Sequence, residues 1–203
     1  MDLQKRYAID RARLGLLSKG DAPAGEYASP VFGDGNPHAA AMLIGEAPGA
    51  EETRQGRPFV GRAGRYLDSL LEQAGIDRAA VYTTNVVKYR PVVRSERSVR
   101  NRTPGPREIA AALPLLADEL TAIAPQTVVT LGNVPLRAVL QLCGRTPDTI
   151  GVLHGRPIPL LLGSLPFTLF ALYHPASGIY NRALLEVMER DAIALGEHLV
   201  KPS

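Results

Sequence analysis

Three times between residues 39 and 142 the chain passes through the same cycle: a short apolar stretch, a loop rich in glycine or polar residues, and a stretch whose apolar residues recur at helical spacing. The run Ala39-Ala40-Ala41-Met42-Leu43-Ile44 stops at Gly45, the loop Glu46 to Gly61 follows, and Leu67, Leu70 and Leu71 mark a helix that ends at Gly75. Val81 to Val87 reads as a β-branched strand, Lys88 to Pro104 as a polar loop, and Pro106 to Ile123 as a helix opening on proline. Thr127 to Leu131, then Gly132-Asn133, then Val134 to Leu142 complete the third cycle. Strands joined by helical crossovers run parallel and are covered on both faces. The pattern therefore predicts an α/β fold, a three-layer α/β/α sandwich around a mostly parallel sheet.

Two apolar stretches, Ile158 to Leu162 and Phe167 to Leu172, are separated by Gly163-Ser164-Leu165-Pro166 and either pair as a hairpin or supply the fourth strand of a four-stranded sheet. A last helix, Arg182 to Leu199, closes the domain. Residues 1–37 read as an accessory helix carrying Tyr7, Leu14, Leu16 and Leu17, followed by a loop from Lys19 to Pro37. No repeat, linker or low-complexity segment interrupts the 203 residues, so a single domain is expected. The longest apolar run without a charge, Pro157 to Tyr173, is broken by prolines and a glycine and falls short of the ~20 residues a membrane span needs. Met1 to Arg6 offers no apolar stretch for a secretory signal. The expectation is a soluble, cytoplasmic monomer. One cysteine, Cys143, excludes a disulfide framework and a multi-cysteine metal site, and neither metal nor cofactor is expected.

The charge pattern narrows the function. Of 23 basic residues 19 are arginine, and they cluster: Arg54 to Arg65 carries +4 with no acid, and Lys88 to Arg107 holds seven basic residues against Glu96 alone, a net +6. The net charge is only +3, so the remainder of the chain is acidic. An acidic body with two basic segments is the sequence pattern of a polyanion site; a solvated charged surface is the plain alternative for either segment taken alone. In an open parallel sheet ligands bind where the loops gather at the carboxyl ends of the strands. Those loops are Gly45 to Gly61, the Asn85 to Pro104 region, Gly132-Asn133 and Tyr173-His174-Pro175, and both basic segments lie among them.

The first loop contains neither a Gly-x-x-x-x-Gly-Lys-Ser/Thr pattern nor Gly-x-Gly-x-x-Gly, which argues against nucleoside triphosphate or dinucleotide binding. It contains Gly45-Glu46-Ala47-Pro48-Gly49 and Gly56-Arg57-Pro58-Phe59-Val60-Gly61-Arg62-Ala63-Gly64. Thr84-Asn85-Val86-Val87-Lys88, Asn101-Arg102-Thr103-Pro104 and His174-Pro175-Ala176-Ser177 follow in order. Together these segments resemble the motifs of the uracil-DNA glycosylase superfamily, in the branch close to the thermophile-type (family 4) enzymes, over roughly residues 39 to 195. The resemblance implies a monofunctional DNA glycosylase that flips uracil out of single- or double-stranded DNA and hydrolyses its N-glycosidic bond, leaving an abasic site for base-excision repair.

Such chemistry asks for particular residue types. The extruded base needs a flat apolar ring beneath it, and Phe59, between Pro58 and Gly61, is the candidate. Telling uracil from cytosine needs a group that donates to O4 and accepts from N3–H; a carboxamide does both, and Asn85 stands at a strand's carboxyl end. Cleavage leaves an anionic uracil, so a donor to O2 acts where charge develops; the resemblance assigns this to His174, acting best as neutral imidazole. It places Glu46 and Asn101 in catalysis, Ala47 where many relatives carry an aspartate, and Glu52 beside uracil C5, where it excludes thymine. Two roles are open to Glu46: orienting a water, or binding a loop amide. The Gly178-Ile179-Tyr180-Asn181 segment resembles the loop that enters the minor groove, with Ile179 or Tyr180 as the wedge. Ser177, Arg57, Arg62 and Arg102 are phosphate-clamp candidates.

Two departures stand out. The thermophile-type branch carries a four-cysteine iron–sulfur cluster, whereas this chain has Tyr89 and Ala112 at two ligand places and no cysteine in residues 1 to 50. The loop between Lys88 and Thr103 is also longer than in cluster-bearing enzymes, and it lacks the histidine of a related branch that bonds covalently to its product. Lys88 carries either a salt-bridge or phosphate role or, less in keeping with the pattern, a Schiff base. The alternatives to uracil excision are a weakly catalytic or non-catalytic lesion- or abasic-DNA-binding protein of the same fold, and a glycosylase with hypoxanthine or xanthine specificity. A binder of small anionic metabolites is disfavoured by the basic segments.

Overall fold

The computed structural model describes Tyr7 and residues 30–200, without the side chains of residues 179 and 180. The accessory helix expected in residues 1–37 lies outside the described residues except at Tyr7, which is helical.

A six-stranded sheet organises the chain: β1 (Asp34–Gly35), β2 (Ala41–Gly45), β3 (Tyr82–Asn85), β6 (Thr127–Leu131), β7 (Pro157–Leu162) and β8 (Leu165–Leu172), in the spatial order β1-β3-β2-β6-β8-β7. The four inner strands β3, β2, β6 and β8 are parallel. Those are the four strands the sequence indicates; the edges β1 and β7 pair antiparallel and raise the count to six. The two C-terminal apolar stretches do both things open to them, pairing as a hairpin while β8 joins the sheet. β1 has two residues and no apolar pattern, so no periodicity announces it.

Alternation along the strands explains the three layers. Met42, Ile44, Val128, Leu169 and Ala171 face one side, against Leu113, Leu116 and Leu120 of α3 (Pro106–Ile123) and Leu136 and Val139 of α4 (Asn133–Leu142). Ala41, Leu43, Val129, Leu131, Phe170 and Leu172 face the other, against Leu67 and Leu71 of α2 (Arg62–Gln73) and Leu195 of α7 (Leu185–Val200). Burial on both faces is why these strands are nearly continuous apolar runs. Among the described residues no helix is long and apolar enough to cross a membrane.

The polar stretch Lys88 to Pro104 is not a plain loop. It folds into a separate antiparallel hairpin, β4 (Val92–Ser95) and β5 (Ser98–Asn101), turning at Glu96-Arg97. Nearly every hairpin residue is exposed, so the sequence shows no apolar alternation from which strands are read. Its base is fixed by Arg102, which donates to the Val92 carbonyl and to both oxygens of Glu108.

The chain passes from β2 to β3 on one side and later to β6 on the other. Connections therefore diverge at the carboxyl end of β2, and a crevice opens there.

Candidate active site

Gly45, the last residue of β2, lies at the base of this crevice. A Cβ added there would meet Asn85 Oδ1 at 2.4 Å and Phe59 Cζ at 2.6 Å. Two side chains far apart in sequence thus converge over one bare backbone position. The register Gly45↔Asn85 brings the strand ends level, and alternation sends the Asn85 side chain to the α2 side of the sheet, where Phe59 packs. Asn85 is 3% exposed, and its carboxamide makes no hydrogen bond to another described residue.

Phe59 is held by its backbone. It adopts φ 57°, in the left-handed region that favours glycine, and its carbonyl lies 1.9 Å from where Gly64 would carry a Cβ. Gly64 lets the loop press onto the first turn of α2, and that packing sustains the strained conformation of Phe59. Glu52, on the short α1 (Ala50–Gln55), ties the ends of the loop together: Oε2 accepts from Gly49 N–H at 3.1 Å and Oε1 from Gly61 N–H at 2.7 Å.

His174 closes the crevice from β8. It is the N-cap of α6 (Pro175–Tyr180), and its Nδ1 accepts from the Ala176 backbone N–H at 3.1 Å. With Nδ1 accepting, the neutral ring carries its proton on Nε2. Burial holds the imidazole below its ordinary pKa, against an opposing pull from the Glu52 carboxylate. Gly132, at φ 97°, lets the loop after β6 lie against the His174 Cβ.

Ala47, Glu52, Phe59, Arg62, Asn85, Asn101 and His174 line one cavity of about 330 Å³ with Gly49, Gly61 and Ala176. That volume is in the range of small-ligand sites. Asn101, the last residue of β5, accepts from Arg90 Nε through Oδ1 at 2.7 Å, which leaves its NH₂ as the free end, close to Gly49. Glu46 opens the loop without lining the cavity; burial raises its carboxyl pKa, opposed by a hydrogen bond with Thr103.

The phosphate-clamp candidates divide. Arg57 pairs with Asp34 at 2.8 Å, and Arg102 braces the hairpin against Glu108; Arg62 lines the cavity. Ser177, Ile179 and Tyr180 belong to the short helix α6, not to an irregular loop, and the side chains of Ile179 and Tyr180 lie outside the described residues. Lys88, counted in the basic segment, is buried and paired with Glu119 at 2.6 Å, which corrects its share of the exposed charge and removes it from reach of a sugar carbon. Tyr89 and Ala112 pack in the apolar cluster around Leu113 and Leu116. An apolar packing and a single cysteine do not fit an iron–sulfur cluster.

The motifs contain Gly64 and Ala176 without disclosing what they do, and sequence reasoning missed Glu119 altogether. Glu119 had a signal, since it sits beside Leu116, Leu120 and Ile123 on the apolar stripe of α3.

Comparison with known proteins follows the same lines. The family model for the uracil DNA glycosylase superfamily matches residues 32–194. The Type-4 uracil-DNA glycosylase of Pyrobaculum aerophilum is 33% identical over 94% of this chain and 91% of its own length. That of Thermotoga maritima is 39% identical over 75% of this chain and 73% of its own. The Type-5 uracil-DNA glycosylase of Thermus thermophilus is 34% identical over 73% of this chain and 69% of its own.

Proposed function

The chain belongs to the uracil DNA glycosylase superfamily, and from that membership we propose that it excises uracil from DNA at the cavity floored by Gly45. The observation that carries the reading is the convergence of a buried carboxamide, an aromatic ring and a histidine whose proton is fixed on Nε2 around one space of small-ligand size.

The extruded base stacks on the Phe59 ring, and the Asn85 amide donates to uracil O4 and accepts from N3–H. As the bond from C1′ to N1 breaks, its electron pair passes to the base and spreads onto O2. The Nε2–H of His174 donates to that oxygen, and it does so as a neutral group, in keeping with its lowered pKa. A water oxygen then bonds to C1′ and releases a proton. Asn101 orients this water through its NH₂, because its oxygen is occupied by Arg90. Glu46 stands beside Ala47, outside the cavity wall, and as a carboxylate made more basic by burial it takes the proton that this water releases. Glu52 shapes the cavity wall beside C5 by holding the loop shut. Arg62 and Ser177 hold phosphate at the rim, and Ile179 or Tyr180 fills the gap left in the stack. The partner is DNA, met by a monomer in the cytoplasm.

One observation favours a second reading, tight lesion binding with little cleavage. Of the carboxylates lining the cavity, Glu51 is paired with Arg54 and Glu52 with two amides, while Ala47 offers none. Single-turnover base release from labelled single- and double-stranded oligonucleotides carrying uracil, hypoxanthine or a thymine mismatch separates the readings. Release from uracil alone supports the proposal. Binding without release selects the second reading, and preferential release of hypoxanthine overturns the assigned specificity.

A further inference from the structure

Directly behind Asn85, outside the cavity, lies a buried ionic network that the reaction as derived does not use. Lys88 is 2% exposed and Glu119 0%. The Lys88 ammonium donates to Glu119 Oε2 at 2.6 Å, to Thr84 Oγ1 at 2.7 Å and to the backbone carbonyl of Asn85 at 2.5 Å. Glu119 also accepts from Tyr7 Oη at 2.6 Å and from Thr84 Oγ1 at 3.0 Å. Since the Tyr7 proton goes to Glu119, the Tyr82 hydroxyl donates to Tyr7 across 2.7 Å. Burial and the Glu119 charge raise both tyrosine pKa values, which keeps them donors.

A buried ion pair is a poor stabiliser, because removing two charges from water offsets most of their attraction, and apolar substitutes often serve as well. What this one does is specific to its place. Pairing of β3 with β2 runs out at Gly45↔Asn85, and the chain beyond holds on through Val86 N–H to the Gly45 carbonyl and Val87 N–H to the Glu46 carbonyl. The Asn85 carbonyl at this junction takes a charge-assisted bond from Lys88, anchored in turn by Glu119 on α3. The peptide that carries the base-reading amide is thereby clamped from the face opposite the cavity.

We propose that Lys88 and Glu119 are positioning residues, which set the orientation of the Asn85 carboxamide and thus the selection and excision of the base. The proposal rests on the functional reading above. It is tested by a double-mutant cycle on single-turnover uracil release. The pair Lys88→Met with Glu119→Gln removes both charges and keeps an acceptor for Tyr7 and Thr84. In a folded protein, checked by circular dichroism and thermal melting, it lowers the rate by at least about tenfold. In an Asn85→Ala background the same pair changes the rate less than about twofold, because the residue it acts through is gone. Should the pair not fold, Glu119→Gln alone carries the same cycle. An undiminished rate, or an equal loss in both backgrounds, overturns the proposal while leaving the function in place. A wild-type chain that releases no uracil overturns the functional reading and this proposal with it.

Discussion

Gly45→Ala is the sharpest single test of the site, because it adds one methyl group where the Asn85 and Phe59 side chains meet. Ordinary Cβ contacts begin near 3.4 Å, and the new atom would stand 2.4 Å from Asn85 Oδ1 and 2.6 Å from Phe59 Cζ. Neither neighbour can swing into solvent, since Asn85 is 3% and Phe59 8% exposed. Nor can the backbone withdraw, for β2 is paired on both sides up to Ile44 and to β3 through Gly45 itself. The amide or the ring must therefore move by about 1 Å, and misplacement of that size costs on the order of 10²-fold in rate. Overpacking costs stability too, about 1–3 kcal/mol, which a domain of ordinary stability tolerates. The expected result is a folded protein with a modestly lowered melting temperature and a single-turnover uracil release slowed roughly a hundredfold. A Gly45→Ala protein that releases uracil at the wild-type rate would refute the convergence of Asn85 and Phe59 over this residue as the base-binding geometry.

The imidazole of His174 predicts the pH dependence. Protonation would give Nδ1 a hydrogen, break the bond from Ala176 N–H and turn a neutral donor into a buried cation, so the rate should be flat at neutral pH and fall only below the ordinary imidazole value of about 6.5. A limb above that value contradicts the lowered pKa, and a limb that persists in His174→Ala belongs to another group, such as Glu46. The same shift has a stability consequence. The unfolded chain binds the proton first, so stability present in full above about pH 6.5 is lost as pH falls from there toward the folded value, readable by urea titration. Replacing Arg94, Arg97 and Arg100 together with glutamine should make the salt dependence of DNA affinity shallower, by about 0.7–0.9 in slope for each arginine that contacts phosphate. An unchanged slope would place the hairpin away from the DNA backbone.

How far the sequence discloses this molecule depends on what kind of signal each part leaves. The inner strands were legible because burial on both faces favours β-branched and apolar residues, as in Thr127-Val128-Val129-Thr130-Leu131, where every residue is buried. The helices were legible from the spacing of Leu67, Leu70 and Leu71 and from Pro106. The edge strand β1 and the hairpin were not, because strands held by backbone bonds and facing water need no apolar pattern. In the cavity, Phe59, Asn85, Glu52, Asn101 and His174 could be named from motifs and chemical need, and the structure brings all five to one space. The conditions that let them meet are tertiary: Gly64 under the Phe59 carbonyl, the Ala176 amide that fixes the His174 proton, and Lys88 behind Asn85. A lysine in a run of arginines reads as surface charge; only the fold shows it turned inward to a glutamate 31 residues away.

That inward turn changes how the electrostatics divide. The two basic segments sum to a large positive charge in the sequence, but Lys88 is cancelled by Glu119, Arg102 is engaged by Glu108, Arg57 by Asp34 and Arg54 by Glu51. The groups proposed to meet the base are a carboxamide, a phenyl ring and an imidazole held toward its neutral form. A strong positive field at the base itself would favour any anionic group in the cavity and discriminate poorly. Neutral donors placed by strand ends act on charge that appears only as the bond breaks. On the proposed reading, the attraction for phosphate is left to exposed arginines of the hairpin and rim, where hydration and salt moderate it. On the proposed reading, affinity and selection are thus carried by different residues. Neutralising the hairpin should accordingly weaken capture of DNA while leaving the single-turnover rate of bound substrate unchanged, and a fall in that rate would mean that the hairpin also shapes the cavity through Asn101.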